Sequence, residues 1–343
     1  MVLLCLMKYI YLDLNKWVLL SKGWYEGEGE VYDLVCKLKE KIRNGEFMIV
    51  VSLINLKEAL KRMNEESRNR LLEFIFEMSQ GNTISPFRDW VVDDEVENLF
   101  LEKLNKKIDI KSKVIRKGLS GMIGMEASIQ GDFSEEIKAK MKEKVNSLET
   151  FKLIISTPKS ADRAREDDLY FKQQVNKFEG IRENERKNKN KKEQFEGVLR
   201  SYFRDFIMQR IIQFFFKYGF AVTKTDMNFE EIEDWLKRLP ATYSYFSLLD
   251  WRDRNLNKKI EANDLYDLMS FTMGIAYCDI LFGENRFVAL SKQAKLNKLY
   301  NTVITSSLEE FQKTPEYPQV KAASDNFVAN KKKVLDGEDK IEN

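Results

Sequence analysis

The chain has 343 residues, 43% of them hydrophobic, and 57 Lys and Arg against 55 Asp and Glu give a formal charge of +2. That length and apolar content allow a sizeable core and suggest two domains or one domain with a large insertion, while the near-neutral balance leaves any contact with a polyanion to local patches. Histidine is absent and the three cysteines, Cys5, Cys36 and Cys278, lie far apart, which excludes Ser-His and Cys-His catalysis, histidine acid-base chemistry and His-ligated metals, and argues against disulfides or a thiolate zinc site.

Met1 to Leu20 is apolar but is broken by Lys8, Asp13 and Lys16, well short of the roughly 20 residues that a spanning helix needs. We expect a chain with no membrane segment, in a reducing, cytoplasmic compartment. Lys8 to Asp13 (KYIYLD) is rich in aromatic and β-branched residues and predicts a buried strand ending on a carboxylate, just before a helix that starts in LNKWVLLSK. Val31, Leu34, Val35, Leu38 and Ile42 recur at helical spacing over Glu30 to Arg43, and Gly45 ends that helix. A second strand follows at Phe47 to Ser52, then helices over Leu53 to Met63 and Glu66 to Met78, then a short strand at Thr83 to Ser85. This alternation predicts a parallel α/β sheet.

From Pro86 to Trp251 the pattern turns helical, charged and poor in strand signal, as expected of an insertion. Within it, Asp162 to Arg200 is strongly charged, and its Arg182, Arg186, Lys187, Lys189, Lys191 and Lys192 read either as a solvated segment or as a phosphate-gripping arm. The aromatic stretch Leu199 to Phe220 reads as core before it reads as a base-stacking platform. Strand signal returns near Ile260, with a helix over Asp264 to Tyr277 capped by Asn263, a strand at Asp279 to Phe282, a helix over Leu290 to Leu299 and a last strand at Val303 to Thr305. Gly337 to Asn343 reads as a frayed polar tail.

The chemistry left to such a chain runs through carboxylates, Lys, Tyr, Cys or a metal held by oxygen. Asp13 ends an apolar strand, where ligands bind in open α/β sheets. Glu58 lies in the helix after the second strand, Asp264 and Asp267 share one helix face near its positive end, and Asp279 and Glu284 bracket the strand that follows. LDLNKW around Asp13, the S-x5-E spacing from Ser52 to Glu58, and ANDLYDLMSFTMGIAYCDILFGENRF resemble the three acidic motifs of PIN-domain nucleases.

The resemblance implies a discontinuous PIN-like domain over residues 1–85 and 252–315, a helical insertion over 86–251 and an extension over 316–343. It implies catalysis by Asp13, Glu58, Asp267 and Asp279, and Mg2+ or Mn2+ held by Asp13, Glu58, Asp264, Asp267, Asp279 and Glu284. Glu284 stands where the family commonly has an aspartate. Asn15 and Ser52 fall where small polar residues orient the first aspartate, and Lys16, Lys57 and Arg286 are candidate phosphate holders. Hard divalent cations suit such donors, and one or two of them activate water for hydrolysis to a 5′-phosphate and a 3′-hydroxyl. The implied function is endonuclease, RNA favoured over DNA, in the manner of toxin or defence ribonucleases, with a protein partner or a second copy able to use the insertion. The alternative is a catalytically inactive PIN-like RNA-binding or protein-interaction module. A third reading, an EF-hand loop over Asp253 to Asp264, lacks the turn glycine, replaced by Lys258, and the closing glutamate.

Overall fold

Alternating faces explain the first strand. In β1, Lys8–Leu12, Ile10 and Leu12 point to one side and Tyr11 to the other, and all three are fully buried. A strand buried on both faces must be covered by helices on both, the arrangement of parallel sheets. The structure, a computed structural model, describes residues 7–124, 128–155, 157, 175–176, 203–219, 229–254, 259 and 261–313.

The chain continues through α1 (Leu14–Glu26), α2 (Glu30–Arg43), β2 (Phe47–Ser52), α3 (Leu53–Leu60), α4 (Glu65–Ser79) and β3 (Asn82–Ile84). Then come α5 (Asp89–Lys103), α6 (Ile110–Val114), β4 (Ile115–Lys117), α7 (Gly118–Ile123), α8 (Glu135–Val145) and α9 (Leu148–Ile155). A π-helical turn, Phe203–Ile207, leads into α10 (Met208–Tyr218), followed by α11 (Phe229–Lys237), α12 (Pro240–Asp253) and α13 (Ala262–Tyr277). The described chain ends with β5 (Ile280–Phe282), α14 (Asn285–Gln293), α15 (Leu296–Leu299), β6 (Val303–Thr305) and α16 (Leu308–Lys313).

The six strands lie in the order β4-β3-β2-β1-β5-β6. All neighbours are parallel except β3 and β4. From β1 the chain winds outward through β2 to β3, and it returns later to place β5 on the other side of β1. The winding therefore reverses at β1, and the crevice outside the carboxyl ends of β1 and β5 is where such sheets bind ligands. One face of the sheet, with Ile10, Leu12, Ile49, Val51, Ile280 and Phe282, packs on α1, α2, α4, Phe151 and Phe311. The other face, with Tyr11, Val50, Ile84 and Leu281, packs on α5, α10, α11, α12 and α13.

The described part of the helical middle packs on the sheet: Val91, Val96, Leu99, Phe203, Ile207, Ile211, Leu236, Tyr243, Phe246 and Leu248 share one core with it, and β4 adds a strand to the sheet, its three residues too few to show a period. Each such side chain contributes about 1.5–3 kcal/mol by burial, so this layer is structural. The helix expected to be capped by Asn263 begins at Ala262 with Glu261 as its cap, because the Asp264 carboxylate turns back to accept the Glu261 N–H at 3.1 Å. The helix expected over Leu290 to Leu299 is two helices, α14 and α15, divided at Lys295, whose φ of 57° no helix tolerates. Most of the charged stretch Asp162 to Arg200, residues 255–258 and 260 of the EF-hand-like loop, and the tail lie outside the described residues. Among the described residues, no helix is long and apolar enough to cross a membrane.

Candidate active site

Asp13 ends β1 and caps α1, with extended backbone at φ −69° and ψ 157° and Oδ1 accepting the Leu14 N–H at 2.8 Å. Its own N–H donates to the Phe282 carbonyl at 3.0 Å, so the β1–β5 ladder runs up to the base of this carboxylate. Asp13 is only 4% exposed. Burial pushes its carboxyl up to about 6, the Leu14 amide pulls it back, and the charge of Glu284 adds to the rise.

Glu284 follows β5 by two residues and caps α14. Asp267 projects from α13, half-buried, and its carboxyl is pushed up to about 9, by burial first and then by the charges of Asp13, Glu284, Glu58 and Asp264. This set of neighbours is the central observation. Carboxylates from β1, α3, α13 and the end of β5 share one electrostatic site at the reversal point of the sheet.

Two glycines let α13 come so close. A Cβ on Gly274 would stand 2.8 Å from Leu281 Cδ1 and 3.1 Å from the Tyr11 ring, and one on Gly283 would overlap Phe271 Cζ. Gly283→Ala is therefore expected to lose about 1–3 kcal/mol of stability through overpacking, measured by urea unfolding. Wild-type stability in that variant would mean that α13 has room to move.

The other expected residues divide. Asp264 contributes charge to the site but is itself buried and bridged by Arg286, which donates to both of its oxygens. Arg286 is thus placed as a brace between α13 and α14, correcting its reading as a phosphate holder. Asn15 donates to Glu284 at 3.4 Å, not to Asp13. Ser52 is buried, closes α3 against Asn55, and lies 3.3 Å from the Tyr11 hydroxyl, so it bears on Asp13 through that phenol. Lys16 donates to the Ser306 carbonyl at 2.9 Å, lies 4.4 Å from the Phe282 ring centroid, and feels both Asp13 and Glu284, although burial lowers its own pKa. Lys57 is half-buried beside Glu58, about 100° around the helix from it.

Asp279 is the clear correction. It immediately precedes β5 whereas Glu284 lies beyond its end, and at about 3.3 Å per residue the two stand at opposite edges of the sheet. Its Oδ2 accepts the Tyr9 N–H at 2.7 Å and faces Lys111 Nζ at 3.4 Å. Cys278, beside it, is buried, and burial pushes its thiol up, as expected of a small core residue.

Tyr11, Asn55 and Lys61 escape a reading of the motifs alone. Asn55 is fully buried beneath the site, and Lys61 Nζ lies 4.7 Å from the Tyr266 ring centroid, next to Asp267 in sequence. The signal that could find them is helical spacing, since Asn55, Glu58 and Lys61 recur every three residues along and just past α3.

The donor set is oxygen only, which suits a hard divalent cation. Among the described residues, no three acidic or thiol side chains are arranged as a group able to hold a metal ion. A cation here would therefore take one or two carboxylates and keep several waters, which is the habit of Mg2+. Comparison with family models, curated proteins and solved structures finds no match, so the functional reading rests on the chemistry of the site.

Without metal, the raised carboxyls give a pH dependence. The folded state holds the Asp267 proton up to about pH 9 and that of Asp13 up to about 6, where the unfolded chain releases both near 4. The folded state binds more protons across that window, so stability falls as pH rises from about 4 to 9. Melting in EDTA at pH 5 to 9 is expected to show this fall, with Asp267→Asn flattening it above pH 6. A flat wild-type profile would mean that the carboxylates do not repel one another.

Proposed function

We propose that this chain is a divalent-metal-dependent endoribonuclease of PIN-like type. The observation that carries the proposal is the convergence of Asp13, Glu58, Asp267 and Glu284 on the carboxyl edge of the sheet, at the β1/β5 reversal, with Asp267 held protonated to about pH 9 by burial and its acidic neighbours. So many close carboxylates cost a chain stability unless something positive is bound between them.

One or two of Asp13, Asp267, Glu58 and Glu284 would hold Mg2+ or Mn2+, the rest reaching it through its waters, and the ion when bound would supply the positive charge that activates water and stabilises the leaving oxygen. The Asp264–Arg286 bridge keeps α13 in register, Tyr11 and Ser52 fix the floor beneath Asp13, and Lys16 takes a phosphate oxygen. Water adds to phosphorus as the bond to the 3′-oxygen breaks, leaving a 5′-phosphate and a 3′-hydroxyl, with no part for a 2′-hydroxyl. RNA is favoured over DNA by the resemblance of the motifs alone.

The test is cleavage of labelled single-stranded RNA, structured RNA and single-stranded DNA by wild type and Asp13→Asn, with Mn2+, Mg2+ or EDTA. Metal-dependent cutting lost in the variant supports the proposal, and no cutting under any metal overturns it. Metal is also expected to raise the melting temperature more at pH 8 than at pH 6, because ligands must shed protons to bind it.

The second reading is a silent PIN-like module that binds RNA or protein. It is favoured by the lack of a three-ligand group among the described residues. In that case Asp13→Asn leaves RNA binding intact or improved, since one repelling charge is gone.

A further inference from the structure

A groove of about 460 Å3 opens between α1, the end of α3 and the first turns of α4. Three cations line it, Lys22, Arg62 and Arg70, together with Ser21, Ser67 and Tyr25. One wall is α1, and the other is the turn after α3 together with the first turns of α4. α1 carries Asp13 as its cap and Lys22 two and a half turns later, and Glu58 on α3 is followed four residues on by Arg62. The two cations Lys22 and Arg62 thus lie on the chain segments that follow Asp13 and Glu58.

Its charge is only partly spent. Glu26 and Glu66 also line it, and Arg70 is paired with Glu66. Lys22 makes no hydrogen bond or ion pair among the described residues. Arg62 donates to Ser67 at 3.4 Å and has no carboxylate partner among them. Tyr25 is 46% exposed, and the Arg70 guanidinium lies 5.8 Å from its ring centroid, so a flat face stands beside the cations. Cations that track a backbone, interleaved with an exposed aromatic face, are what a single strand of nucleic acid binds. At about 460 Å3 the groove holds far less than a turn of duplex, and a single strand is the better occupant.

We propose that the groove holds the single strand flanking the scissile phosphate, with Lys22 and Arg62 on its phosphates and Tyr25 stacked on a base. That the bound strand is cut rests on the nuclease reading, whereas its binding does not. The test is fluorescence anisotropy of a labelled 12-nucleotide single-stranded RNA, its DNA counterpart and an RNA duplex. The protein carries Asp13→Asn so that nothing is cut, with and without Lys22→Ala/Arg62→Ala. The double variant is expected to bind the single strands at least about tenfold more weakly, and the slope of log affinity against log salt should fall by about 1.4, or 0.7 for each phosphate no longer neutralised. Tyr25→Ala is expected to weaken binding about tenfold with no change in that slope. Unchanged affinity and slope would overturn the proposal, as would equal binding of the duplex or an equal loss from Lys138→Ala/Lys140→Ala on α8. Failure of the nuclease reading is seen separately, as wild type that binds these strands and cuts none.

Discussion

Asp13→Asn is expected to reduce metal-dependent cleavage by at least about a hundredfold, the scale seen when a group fixing a metal or a developing charge is removed, while the protein stays folded. The substitution keeps volume and keeps Oδ1, so the cap on the Leu14 N–H at 2.8 Å survives. What it removes is a charge. Asp13 is the first of the neighbours that push the Asp267 carboxyl up, after burial itself, so its loss relaxes that carboxyl downward. Metal-free Asp13→Asn should therefore melt higher than wild type at pH 8, and it should gain less from added Mn2+. Melting and cleavage are measured on the same preparations, so lost activity in a protein that melts higher cannot come from misfolding. Cleavage at the wild-type rate would remove Asp13 from the chemistry and leave the edge of β1 as a capped helix start.

The part of this site legible in the sequence is the part encoded by local pattern. KYIYLD announces a strand ending on Asp13 because aromatic and β-branched residues fit a doubly buried strand, and Glu284 two residues past β5 follows from the same logic. Asp279 is misplaced by its motif because a motif gives order along the chain, whereas the edge of a sheet on which a residue falls depends on where its strand begins and ends. Arg286 is misleading for a related reason. Its partner, Asp264, lies on another helix, and no spacing announces a bridge between two helix starts. The closeness of α13 is carried by Gly274 and Gly283, whose meaning depends on Leu281, Tyr11 and Phe271 standing opposite them.

The middle of the chain shows the same limit from the other side. Helical spacing in residues 86–251 is visible, but whether those helices form their own core or complete another is a tertiary fact. The polar contacts of Glu95 decide how tightly they are joined to the sheet domain. Glu95 is 1% exposed on α5, and it accepts from the Ala241 N–H at 2.7 Å, the Thr242 N–H at 3.1 Å, the Thr242 hydroxyl at 2.7 Å and the Tyr277 hydroxyl at 2.7 Å. One carboxylate thus caps the start of α12 from another helix and holds the end of α13, the helix that carries Asp267. Burial pushes its carboxyl up while these four donors pull it back.

Glu95→Ala would strand all four donors in the core and open a cavity among α5, α12 and α13. The expected loss is about 3–5 kcal/mol, the scale for breaking a buried charged network by removing one member. Glu95→Gln keeps the shape but turns an amide N–H toward donors, and it should lose roughly 1–3 kcal/mol. Urea unfolding followed by tryptophan fluorescence and by circular dichroism measures both. Coincident transitions at a lower midpoint are expected, because the helical layer and the sheet share one core. If Glu95→Ala instead separates two transitions, with the sheet melting at its wild-type midpoint, the helical layer is a separate unit and Asp267 is held in place without it.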